Sequence, residues 1–103
     1  MRPDLWFKDF MARRRAKCFS VRREAIEAII SRCEAEELYW TRMKQYHWMR
    51  ACALDPYKHW NAFSDRMDSW KRADDQVRSF GVDLAAARES RSDLLRGAEK
   101  HGY

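Results

Sequence analysis

Apolar residues recur along this chain at three- and four-residue steps, the spacing that gathers side chains onto one side of an α-helix. The longest run joins Ile26, Ile29, Ile30, Cys33, Trp40, Met43, His47, Ala51 and Leu54. A second alternates threes and fours through Trp60, Phe63, Met67, Trp70 and Val77. It reads as an a/d seam with Asp74 where the next apolar residue is due. Trp6, Phe7, Phe10 and Met11 make a shorter patch near the start. Asp68 with Arg72, and Asp74 with Arg78, are spaced as favourable pairs one helical turn apart.

Local signals divide this pattern into elements. Pro3 and Asp4 suit a first helical turn, and the cations of "RRRAK" suit a helix end. Ser20 can cap a second helix. In "LDPYKHW", Asp55 can cap a third and Pro56 fits its first position. Gly81 after Phe80 reads as a left-handed stop, and Asp83 as the cap of a last helix. The prediction for residues 1–103 is an all-α, small single-domain bundle of about four helices, over 4–18, 21–54, 56–80 and 84–96. The second, central helix would be roughly 50 Å long. That exceeds the width of a compact domain of this size, so it must protrude, kink or pair with a second copy.

Composition supports a helical domain and narrows the function. Only three Gly and two Pro occur in 103 residues, and 46% are hydrophobic, which disfavours disorder. Charges interrupt every apolar run well before the length of a membrane span, and no signal-type segment opens the chain. Three Cys, uneven in spacing and odd in number, argue against a disulfide framework and for a reducing, cytoplasmic setting. The net charge of +5 is unevenly spread. Residues 1–23 carry eight bases and two acids, whereas 24–37 carry five Glu and a single Arg.

The stretch "FGVDLAAARESRSDL" has helix, Gly turn, capping residue and second helix in the order of a helix-turn-helix. In Phe80, Gly81, Val82 and Asp83, with Ala87 turned inward, it resembles bacterial helix-turn-helix regulators. That resemblance implies a recognition helix offering Arg88, Ser90, Arg91 and Ser92 to a major groove. Val77 is bulkier than the family's usual residue there, and Ser90 is polar where the family is apolar. A Gly-capped turn between two bundle helices is the other reading.

Enzymatic signals are absent from the sequence. His47, His59 and His101 fall in no catalytic spacing, no Gly-rich phosphate loop occurs, and no CxxC or HxxxH suggests a metal site. No catalytic residue, cofactor or metal is therefore assigned. Binding chemistry is better represented. "FMARRRAKCFSVRR" places Arg13, Arg14, Arg15, Lys17, Arg22 and Arg23 in fourteen residues without an acid. "ELYWTRMKQYHWMRA" then combines four Tyr or Trp rings with Arg42, Lys44 and Arg50. Cationic rails beside aromatic rings are how single-stranded nucleic acid is held, and Tyr46 and Trp48 are the candidate stacking rings. The same residue types anchor protein interfaces. The expectation is a small, basic, non-enzymatic protein binding nucleic acid (single-stranded DNA or RNA) or a nucleic-acid-bound protein complex. An accessory factor of a phage or mobile element, such as an inhibitor of a CRISPR-type nucleoprotein, would suit its size. A protein interaction module or homodimeric adaptor is the alternative, and no membrane partner is expected.

Overall fold

The computed structural model describes residues 3–101 as two α-helices, α1 (Pro3–Cys52) and α2 (Trp60–His101), joined by the turn 53–59. The fold is all-α, as the periodicity predicts, but the four-helix bundle is overturned: there are two long helices. The chain forms two compact units. One holds α1 up to Ile30 and α2 from Ala86; the other is Ser31–Ala85. In each unit a segment of α1 packs antiparallel against a segment of α2.

Two predicted breaks are absent. Ser20 sits exposed within α1 and caps nothing. Neither Gly nor Pro occurs from Asp4 to Asp55, and a helical Ser costs only a few tenths of a kcal/mol. Gly81 lies inside α2 with no left-handed backbone, so neither the helix-turn-helix nor the Gly-capped turn exists. A glycine in a helix interior costs about 1 kcal/mol. Burial of Leu84 and partial burial of Phe80 on either side of it outweigh that cost.

The break at "LDPYKHW" is present, but it is a turn rather than the start of a helix. Tyr57 N donates to Asp55 Oδ1 at 2.9 Å, and the Lys58 and His59 amides donate to the Asp55 carbonyl at 3.2 and 2.8 Å. Asp55 therefore caps a tight turn. The helix begins only where Phe63 N donates to the His59 carbonyl at 2.9 Å.

The seam of α2 alternates threes and fours through Phe63, Arg66, Trp70, Ala73, Val77, Phe80 and Leu84, all buried or half-buried. The same step continues in the other unit through Ala87, Arg91, Leu94 and Ala98. Ala73, not Asp74, holds the innermost position, at 1% exposure. On α1 the inward positions of Ser31–Ala85 are Cys33, Glu37, Trp40, Lys44, His47 and Ala51. Small residues at Ala51 and Ala73 let the helix axes approach closely. Other expected core positions stay outside: Trp60, Trp6, Phe7 and Ile29 are each more than half exposed. Of the spaced pairs, Arg78 reaches Asp74 at 3.1 Å, while Arg72 donates to the Asp68 backbone carbonyl at 3.5 Å.

Gly81→Ala tests the continuity of α2. A Cβ there meets Glu37 Oε2 at 3.5 Å, an ordinary contact. The substitution is expected to stabilise by about 0.5–1 kcal/mol and to raise the thermal midpoint by a few degrees. A left-handed cap at this position would give the opposite sign.

Candidate nucleic-acid interface

In the unit holding the chain's start, the basic run lies on the exposed surface of α1. Helical spacing separates its cations. Arg15 and Arg22 fall at positions turned toward α2, where other turns carry apolar side chains. Small residues, Gly97 and Ala98, face them. Long, polar-tipped side chains opposite small ones leave an open groove of about 560 Å³. Its floor is Met11, Cys18, Phe19 and Leu94, and Arg14, Arg15 and Arg22 rim it. Asp93, on the α2 wall, is paired with Arg96. Arg13 is held by Asp9 at 2.7 Å, and Arg15 Nε donates to the Met11 carbonyl at 3.3 Å. Among the described residues Arg14, Lys17, Arg22 and Arg23 have no carboxylate partner. A smaller depression beside Lys17 and Val21 is lined by Arg14 and Arg22 as well.

The second candidate set, in Ser31–Ala85, separates into two clusters. Tyr46 lies between two guanidiniums, with Arg50 Cζ 5.4 Å and Arg66 Cζ 5.7 Å from its ring centre. Arg50 Nε donates to the phenol oxygen at 3.3 Å. That hydrogen bond, the Arg50 charge and the nearby Arg66 hold the Tyr46 phenol below its ordinary value. His47 meets the ring edge and stands 3.4 Å from Arg66 through Nδ1.

Trp48 packs on Trp70 across the helix pair, centroids 5.9 Å apart. Lys44 lies over Trp70 at 5.4 Å and donates to Asp74 at 2.7 Å. The polar position in the predicted seam is thus occupied by an inter-helix ion pair. Lys44, mainly by its hydrogen bond, keeps the Asp74 carboxyl below the usual range. The pair therefore supports the fold above that range and loses its contribution as pH falls through the folded-state value. Lys44 must leave Asp74 to meet a phosphate, whereas Arg42 stands exposed and uncommitted among the described residues.

No family model, curated protein or solved structure matches this chain.

The structure thus brings Arg14, Arg15 and Arg22 around one groove, with Lys17 at the smaller depression that Arg14 and Arg22 also line, and Tyr46 with Arg50 in a separate cluster. Arg13 is tied to Asp9, and Trp48 is packed beside Lys44. Sequence reasoning missed Arg66 and Trp70 as neighbours of these residues. The step from Phe63 to Arg66 to Trp70 to Ala73 was the available signal. Among the described residues no group of three or more His, Cys, Asp or Glu is placed to hold a metal ion. No described helix is long and apolar enough to cross a membrane.

Proposed function

We propose that the protein is a non-enzymatic nucleic-acid-binding protein that grips phosphates through the basic surface of α1, on a bare strand or on one held in a nucleoprotein complex. The observation that carries this reading is the groove rimmed by Arg14, Arg15 and Arg22, with Lys17 adjacent. Its cations have donors to spare, and a guanidinium fork matches a phosphate better than an ammonium does. With α2 continuous through Gly81 the helix-turn-helix presentation of a recognition helix is absent. Affinity then comes mainly from phosphates, with weak sequence preference and steep salt dependence. The compartment that goes with this reading is the cytoplasm, where exposed thiols such as Cys18 and Cys52 stay reduced.

The test is fluorescence anisotropy with short single-stranded and duplex oligonucleotides at about 50 and 200 mM salt. Binding is expected at the lower salt and a steep loss at the higher. Replacing Arg14, Lys17 and Arg22 together by Gln is expected to flatten the slope of log K against log salt. The change is nearly three on duplex and about two on single strand. An unchanged slope in a variant of native helicity, or no binding at low salt, overturns the proposal.

A further inference from the structure

Three basic side chains among the described residues are half-buried: Lys44, Arg66 and Arg91. A cation drawn partly out of water loses hydration, and an anion beside it offsets that loss. Lys44 has Asp74 at 2.7 Å, and Arg91 has Glu27 at 3.5 Å. Arg66 is the exception. Among the described residues no carboxylate pairs with it, and none pairs with Arg50. The two guanidiniums nevertheless converge on Tyr46 from different helices, with Cζ 5.7 and 5.4 Å from its ring centre. Each engages a single nitrogen. Arg50 Nε donates to the phenol oxygen at 3.3 Å, and one terminal nitrogen of Arg66 stands 3.4 Å from His47 Nδ1. The remaining N–H groups of both forks have no protein acceptor.

We propose that Arg50, Arg66 and the Tyr46 hydroxyl form a site for a terminal phosphoryl group, that of inorganic phosphate or a phosphate monoester. Such a group has acceptor oxygens enough for a fork from each guanidinium and a hydrogen bond from the phenol at once. A carboxylate satisfies one fork and leaves the other charge unmet. The local field already favours negative oxygen. The hydrogen bond and charge of Arg50, with Arg66 nearby, hold the Tyr46 phenol below its ordinary value. The ligand supplies to Arg66 the counter-charge that Asp74 gives Lys44 and Glu27 gives Arg91. All the residues of this site lie in Ser31–Ala85, apart from the groove rimmed by Arg14, Arg15 and Arg22.

The test follows arginine Nε–H resonances by heteronuclear NMR as inorganic phosphate replaces chloride at constant ionic strength. Arg50→Gln and Arg66→Gln assign the two resonances. Both are expected to shift together and saturate, with a dissociation constant on the order of 1 mM. Arg66→Gln is expected to weaken the Arg50 response about tenfold or more, and Arg50→Gln the Arg66 response likewise. If one variant loses helicity, the other serves. Acetate over the same range is expected to give little shift. A nucleoside monophosphate identifies the source: binding tighter than inorganic phosphate assigns a nucleotide, and equal or weaker binding assigns free phosphate. No saturable shift up to roughly 50 mM phosphate overturns the proposal. So does an equal response to acetate, or an unweakened response in a helical variant. The titration is expected to be unchanged when Arg14, Lys17 and Arg22 are replaced by Gln, so this site and the groove are read independently.

Discussion

Leu84→Ala is expected to lower the unfolding free energy by about 2–4 kcal/mol, measured by denaturant titration at fixed protein concentration. Leu84 is 5% exposed and occupies the α2 seam. The reason for a large effect is how little else is buried. The buried set among the described residues is Ile30, Cys33, Ala51, Ala73, Leu84 and Ala98, and half of it is alanine. Removing three carbons from Leu84 loses their transfer free energy and leaves a hole that two rigid helices fill poorly. Leu95→Ala, at a position 37% exposed, is the control and should cost less than half as much. Equal losses at the two positions would mean that the seam is not where this register puts it.

The second large effect is expected from Ala73→Asp. Ala73 is 1% exposed, and an aspartate there is too short to bring its carboxylate to water. Burying an unpaired ion costs several kcal/mol even after relaxation. Lys44 is already committed to the neighbouring Asp74 at 2.7 Å, so no cation is free to compensate at close range. The variant is expected to be largely unfolded at neutral pH. Stability should be partly regained at acid pH, where the new carboxyl is neutral. Ala85→Asp, at an exposed position in the same helix, carries the same loss of helix propensity without the burial and should fold. Full helicity in Ala73→Asp at neutral pH would refute the placement of Ala73 between the helices.

Much of the fold was legible in the pattern of three- and four-residue steps. The stripe from Ile26 through Cys33, Trp40, His47 and Ala51 does face α2 in its inner members, and the chain does turn at "LDPYKHW". The helix count was not legible. Ser20 and Gly81 look like stops because local preference favours caps and turns there. Those preferences are worth about 1 kcal/mol or less, and packing along an unbroken seam overrides them. In the α2 seam Phe63, Trp70 and Val77 were read in place, while the alternate positions were read one residue late, at Met67 and Asp74 instead of Arg66 and Ala73. Side-chain size was the wrong guide: the most deeply buried position of that seam belongs to its smallest residue, Ala73.

The candidate site divides in the same way. The basic run from Arg13 to Arg23 is a property of neighbouring residues and could be read directly. Its groove could not, because that depends on Gly97 and Ala98 standing opposite Arg15 and Arg22. Nor could the Tyr46 cluster be read in full. Arg50 lies one turn along the same helix, whereas Arg66 reaches Tyr46 only from the second helix.

The sequence by itself determined the helical class, the turn at Asp55, the basic surface of α1 and the surplus of aromatic side chains. Each of these follows from residues within a turn or two of one another, where spacing and capping energies act without help. Tertiary structure alone decided that there are two helices, that Lys44 meets Asp74, that Ala73 lies innermost and that Arg66 reaches Tyr46. Those outcomes depend on which residues meet across the hairpin, and there burial of apolar surface exceeds the local preferences it overrules.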